Sequence, residues 1–312
     1  MRIIFMGTPE FAVASLQALL EAGENVVAVI TAPDKPAGRG QKLHQSAVKQ
    51  FAATHEIPVL QPVKLRDPQF LSELQSLQAD LQVVVAFRML PEVVWNMPPL
   101  GTINLHASLL PQYRGAAPIN HAVINGETES GVTTFRLQHE IDTGNILFAE
   151  KVPIGPDDTA GDLHDQLMIV GAQLLVRTVQ ALRAGSISPI AQEHLMTGNE
   201  LKHAPKLFKE DGKIDWHRSV DDVHNLIRGL SPYPTAYTDL DGLSLKIFKS
   251  VKEKTRPQYP VGTYHSDGST FLKFACPDGY IDLREVQLAG KKRMDIQSFL
   301  RGYRPRSVTI FT

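Results

Sequence analysis

Residues 1–30 read MRIIFMGTPEFAVASLQALLEAGENVVAVI. Two short β-branched runs, 2–6 (RIIFM) and 26–30 (VVAVI), flank a stretch over 10–22 whose apolar residues Phe11, Ala14, Leu16, Leu19 and Leu20 recur at helical spacing. Strand, helix, strand at this spacing predicts a βαβ unit. The pattern repeats downstream: 46–54 reads as helix, 57–60 as strand, 67–78 as helix, and 81–86 (LQVVVA) as a buried strand. Uninterrupted apolar strands are what a parallel sheet covered on both faces requires. Residues 1–190 are therefore expected to form a Rossmann-like, doubly wound, mostly parallel α/β domain, closed by a long helix over 159–184 that ends at Gly185.

Periodicity fades over 186–215, where Pro189, Gly198, Pro205 and Gly212 occur, and a linker is placed at 191–207. A short helix is expected over 219–229. Beyond Pro232 and Pro234 the pattern alternates, with turn signals at Asp241-Gly242, Asp267-Gly268 and Asp278-Gly279. Residues 208–312 thus read as a small antiparallel sandwich or OB-like β-barrel.

Composition narrows the function classes. Hydrophobic residues at 43% and charged residues at 21% mark a folded chain and argue against disorder. No apolar run approaches the roughly 18 residues of a membrane span, and the N-terminus lacks a small-residue cleavage pattern. The one cysteine, Cys276, permits neither an internal disulfide nor a thiolate metal cage. A reduced, cytoplasmic compartment is expected.

The net charge of −1 argues against a nucleic-acid partner until it is divided. Residues 1–204 carry −6 and residues 205–312 carry +5, and 284–306 alone holds a net of +5. A basic run is usually a solvated face. The reversal of sign between halves favours a phosphate-backbone contact instead.

The first βα turn, Gly7-Thr8-Pro9, has one glycine where a dinucleotide fingerprint needs three, so neither nicotinamide nor flavin is expected. No Walker A motif occurs. The chemistry points to 101–118, GTINLHASLLPQYRGAAP. On a strand over 102–107, Asn104 and His106 share one face while Ile103 and Leu105 take the other. Polar residues at a strand's carboxyl end are where doubly wound sheets bind ligands. Downstream of VTTFRL (132–137), Asp142 precedes Thr143-Gly144. It is either an Asx-turn aspartate or a carboxylate that orients or deprotonates a neighbour such as His106.

INLHASLLPQYRGAAP (103–118) and IDTGNIL (141–147) resemble the folate-dependent formyltransferase family. The resemblance implies an active-site triad of Asn104, His106 and Asp142, with 10-formyltetrahydrofolate as formyl donor and no metal. It implies folate contacts at Ser108, Leu109, Leu110 and Pro111, and in the loop Phe87, Arg88 and Met89. MGTPEFAV (6–13), TAPDKPAGRGQKL (31–43), APKLFKEDGKIDW (204–216), NLIRGLSPYPTAYT (225–238) and GKKRMDIQSFLRG (290–302) resemble the members that act on initiator methionyl-tRNA. The loop with Lys35, Arg39 and Lys42, too rich in Gly and Pro for a helix, would then approach the acceptor arm. Lys291, Lys292, Arg293 and Arg301 would hold tRNA phosphates. A monomer is expected.

Two departures from the family pattern stand out. Ala86-Phe87-Arg88 replaces Ala-Tyr-Gly and adds a cation near the expected pocket rim, while Pro232-Tyr233-Pro234-Thr235 replaces Pro-Trp-Pro-Gly. The second is expected to matter little to the chemistry.

Overall fold

The computed structural model describes residues 1–37, 42–196 and 200–303, with the backbone alone at Ala37 and Lys42. These residues form two compact units. The first comprises Met1–Gly115, Ser130–Val152 and His164–His203; the second comprises Ala116–Glu129, Pro153–Leu163 and the chain from Ala204 on. Among the described residues no helix is long and apolar enough to cross a membrane.

The first half of the chain supplies strands β1 (Arg2–Gly7), β2 (Asn25–Ile30), β3 (Lys35–Ala37), β4 (Lys42–His44) and β5 (Val59–Leu60). It continues with β6 (Leu81–Val85), β7 (Thr102–His106), β8 (Arg114–Gly115), β9 (Glu129–Arg136) and β10 (Ile146–Pro153). The helices are α1 (Glu10–Glu21), α2 (Ala47–Thr54), α3 (Pro68–Ser76), α4 (Glu92–Trp95), α5 (Pro118–Ile124) and α6 (Ala160–Arg183). Seven strands make one sheet in the order β10-β9-β7-β6-β1-β2-β5. The five from β5 to β7 run parallel, and β9 joins β7 antiparallel.

The expected α/β winding is thus present, and its cause is visible in the burial. All five residues of β6 and five consecutive residues of β1 are buried, as a sheet covered on both faces demands. Phe70 and Leu74 of α3 pack on Ile4, Met6, Ile30 and Val84. Each large side chain so buried contributes roughly 1.5–3 kcal/mol. Helix starts follow the sequence: Ser46 accepts from Lys49 N, and Asp67 accepts from Gln69 N with Pro68 in the first turn.

From β1 the chain moves outward to β2 and β5, then returns to β6 on the other side. That reversal opens a crevice at the carboxyl ends of β1 and β6. Gly7 ends β1 there for packing reasons. A Cβ there would lie 2.6 Å from Ala12 Cβ and 3.0 Å from Val85 O, so glycine lets α1 close onto the sheet.

One expectation needs correction. The segment around Lys35 and Lys42 is an antiparallel hairpin, with Lys35 opposite His44 and Ala37 opposite Lys42. Pro36 and the nearby glycines conceal these two three-residue strands from a propensity reading.

In the second unit, α7 (Val220–Gly229) packs on an antiparallel sheet of β12 (Ala236–Leu240), β13 (Leu243–Glu253), β14 (Tyr264–Ser266), β15 (Leu272–Cys276) and β16 (Gly279–Leu288). The short β11 (His203–Ala204) precedes them; β17 (Met294–Asp295) and α8 (Ile296–Gly302) follow. The sheet order is β12-β13-β16-β15-β14, with β17 on β16, which makes a half-barrel among the described residues. Asp241-Gly242 and Asp267-Gly268 fall between paired strands, and Asp278-Gly279 leads into β16, where Gly279 lies opposite Cys276. Its core stacks Trp216 on Phe274 at 4.3 Å, and the indole N–H donates to Thr238 Oγ1 at 3.0 Å. Thr235, in place of the glycine of the family pattern, sits at φ 80° and ties its hydroxyl to Pro232 O. That left-handed angle explains why glycine suits the position.

Candidate active site

Strand β7 carries Asn104 and His106 at its carboxyl end, beside the carboxyl end of β6. Ile103 and Leu105 are buried on the other face, so the alternation read from the sequence holds. The Asn104 amide makes no hydrogen bond among the described residues and is half-buried.

His106 is buried and its ring is oriented by the backbone. Nε2 lies 2.9 Å from Tyr113 O, an acceptor, so this nitrogen carries the hydrogen. Nδ1 is then the ring nitrogen left for another partner, and it faces Asp142 Oδ2 at 3.9 Å. The edge of the ring meets Phe135 at 6.5 Å.

Asp142 reaches this place through an unusual backbone. Its φ is 55°, the left-handed region that Asp and Asn tolerate better than most residues. Gly115 N donates to Asp142 Oδ2 at 3.0 Å. Gln192, buried in a 3-10 turn at Gln192–Leu195, donates from its amide to Asp142 O at 2.9 Å and Gly144 O at 2.8 Å. Arg114 in turn donates to Gln192 Oε1. Gly144 is obligatory, since a Cβ would sit 1.7 Å from Arg136 O.

Gln192 escaped the sequence reading altogether. It lies in the stretch read as a linker, and only its burial against the 142–144 turn reveals what it does. Arg114 and Gly115 follow the Ser-Leu-Leu-Pro turn, but nothing in the spacing linked them to residue 142 or 192.

The turn after β7 is tied to itself and to β9. Ser108 Oγ donates to Gln112 O at 2.7 Å, Thr133 Oγ1 donates to Ser108 O at 2.7 Å, and Leu110 N donates to Thr133 Oγ1 at 3.1 Å. Ser108, Leu110 and Pro111 are buried; Leu109 is partly exposed and packs where Gly131 has no Cβ. The Ser108 hydroxyl therefore shapes the turn.

Phe87 joins the core with Ile4 and Val84, whereas Met89 is 73% exposed. The Arg88 guanidinium donates to Val63 O at 2.9 Å and to Pro62 O, and burial pulls its pKa down. The extra cation is thus tethered to backbone carbonyls, beside a cavity of about 450 Å³ lined by Gln61, Pro62, Val63, Lys64 and Phe70.

Among the predicted phosphate contacts, the cations divide. Arg293 forms a two-pronged pair with Glu285, both contacts at 2.7 Å, and lies over the Phe248 ring. That pairing holds the Glu285 carboxyl below its usual range. Arg284 pairs with buried Asp282 at 2.7 Å. Lys291 and Lys292 are exposed and make no ion pair among the described residues, and Arg301 donates to Ser298 Oγ. Lys35 is exposed on the hairpin. Arg39 lies outside the described residues, as do Arg304 and Arg306, and Lys42 is described by its backbone alone.

A twisted α/β sheet with an amide, an imidazole and a carboxylate at its carboxyl edge can stabilise an oxyanion and move a proton, which suits acyl transfer. Residues 1–179 match the formyl transferase model and residues 206–304 match the formyl transferase C-terminal domain model. The fold is shared with WlaRD, a sugar 3N-formyl transferase, at TM-score 0.67 and 23% identity, covering 94% of this chain and 99% of that one. The chain belongs to the formyl transferase family.

Within it, the chain is 55% identical over 309 residues to the methionyl-tRNA formyltransferase of Bacteroides thetaiotaomicron, covering 97% of this chain and 96% of the relative. It is 56% identical over 311 residues to that of Parabacteroides distasonis, with the same coverage.

Proposed function

We propose that this chain transfers the formyl group of 10-formyltetrahydrofolate to the α-amino group of methionine carried by initiator tRNA, in the cytoplasm, at the start of protein synthesis. The observation that carries the reading is the convergence of Asn104, His106 and Asp142 on one sheet edge in a chain so similar to methionyl-tRNA formyltransferases.

The folate supplies an activated formyl group. The unpartnered Asn104 amide and the open Nδ1 of His106 fit such a group, since both can face a carbonyl oxygen. As the amine attacks, negative charge grows on the formyl oxygen. Asn104 donates an N–H to it, and protonated His106 donates from Nδ1, because Nε2 is committed to Tyr113 O. Asp142, 3.9 Å from Nδ1, accepts the amine proton directly or through one water and returns it to the folate nitrogen as the bond from that nitrogen to the formyl carbon breaks, so that tetrahydrofolate leaves. Ser108, Leu109, Leu110 and Pro111 form the wall against which the folate lies, with Phe87, Arg88 and Met89 at its rim. On the C-terminal unit Lys291, Lys292 and Arg301 meet phosphates, while Arg293 stays with Glu285.

The test offers the protein 10-formyltetrahydrofolate with either charged initiator tRNA or an amino sugar nucleotide. Formylmethionyl-tRNA as the dominant product is expected; preference for the sugar would replace this reading with a sugar formyltransferase.

A further inference from the structure

The hairpin β3–β4 has little of its own to hold it in place. Each strand has three residues, Leu43 is 68% exposed, and a lone two-stranded hairpin is marginal in water. Its direction must come from its base, and both legs are tied there.

On the entering leg, Asp34 is gripped on both carboxylate oxygens. Lys49 of α2 donates to Oδ2 at 2.6 Å, and the Gln61 amide donates to Oδ1 at 2.8 Å. The same Gln61 nitrogen donates to Ala32 O at 2.8 Å. On the leaving leg, Ser46 caps α2 through Lys49 N and shares a hydrogen bond of 2.7 Å with Thr31 Oγ1. Lys49 thus serves both legs, its ammonium holding Asp34 and its amide holding Ser46. The Asp34 and Lys49 side chains are 19% and 23% exposed, sheltered enough for the pair to outlast an ordinary surface contact.

We infer that Asp34, gripped by Lys49 and Gln61, is the positioning residue for the basic hairpin and sets the affinity for the tRNA substrate without taking part in formyl transfer. The inference rests on the proposed function, with exposed Lys35 of the hairpin facing the tRNA. Its physical logic is preorganisation: a hairpin aimed in advance loses less freedom when it meets the tRNA, and an untied one must be ordered during binding.

Three variants test it: Asp34→Ala, Lys49→Met and Lys49→Arg. The first two are expected to raise KM for charged initiator tRNA about tenfold with kcat changed by less than about twofold, while Lys49→Arg restores most of the loss. Folate affinity and melting temperature stay near those of the parent. Amide exchange by NMR at Lys35, Leu43 and His44 is expected to quicken in Asp34→Ala. Unchanged exchange overturns the clamp. Quickened exchange with unchanged KM overturns its link to tRNA. Parallel loss of kcat and folate affinity reduces Asp34 to a residue of general stability, which also overturns the inference. A parent protein inactive on charged tRNA would sink the functional reading instead, and the exchange arm would still decide the clamp.

Discussion

At the end of β7 the polar side chains are oriented by backbone groups: Tyr113 O takes the His106 hydrogen, and Gly115 N points at Asp142. Along β16 and β17 the arginines are oriented by carboxylates: Glu285 grips Arg293, and Asp282 grips Arg284. Both arrangements fix geometry, but they leave different chemistry behind. A neutral backbone partner orients a titratable group and leaves its charge in play. A carboxylate partner orients a cation and cancels its field, so counting residues overstates what such a surface offers an anion.

The largest expected effect tests the first arrangement. Asp142→Asn keeps an oxygen for Gly115 N and a residue tolerant of φ 55°, so the fold should be unchanged. Formyl transfer should nonetheless fall by about 10² to 10⁴ with folate binding preserved, as measured by turnover and by equilibrium titration. Turnover near that of the parent would show that the carboxylate charge is idle there.

The second prediction separates the two kinds of cation. Replacing Lys291 and Lys292 together by alanine should weaken tRNA binding and lower the salt slope of log affinity by about 1.5. Arg293→Ala should leave that slope nearly unchanged. Equal slopes for the two variants would erase the distinction drawn between paired and unpaired cations.

The smallest effect concerns His224, in the second unit but with a neutral neighbour. Its Nδ1 meets the Ser250 hydroxyl at 3.1 Å, and Asp157 lies 3.5 Å from Nε2. Burial pushes its pKa below the usual 6.5, Lys252 and Arg228 push the same way, and Asp157 opposes them. A histidine held neutral in the native state lends stability above the unfolded pKa of about 6.5 and loses it as pH falls toward the native value. Urea midpoints should therefore drop between pH 7.5 and 5.5, and less so in His224→Gln. Parallel pH profiles for the two proteins would remove His224 from the account.

What could be read from the chain alone follows the range of the interactions. The βαβ repeat, the inward face of β7 and the Asp-Gly turns are local patterns, and they appear where expected. The role of Gln192 depends on a contact fifty residues back in the chain, with the carbonyl of Asp142. Nothing in the local composition of 186–215 encodes it. Likewise Arg293 is cancelled because β17 pairs with β16 and brings it to Glu285, a matter of register across a turn. The hairpin at Lys35 and Lys42 was hidden for the opposite reason: its own prolines and glycines speak against strands, and its base is tied by Asp34, Lys49 and Gln61.

The left-handed backbone at Asp142 also shapes how this protein can fail over generations. Few residue types settle at such an angle, and asparagine, one base change away from aspartate, is among them. On the proposed function, the easiest heritable loss here is a chain that folds, persists and occupies its substrates, yet turns them over far more slowly.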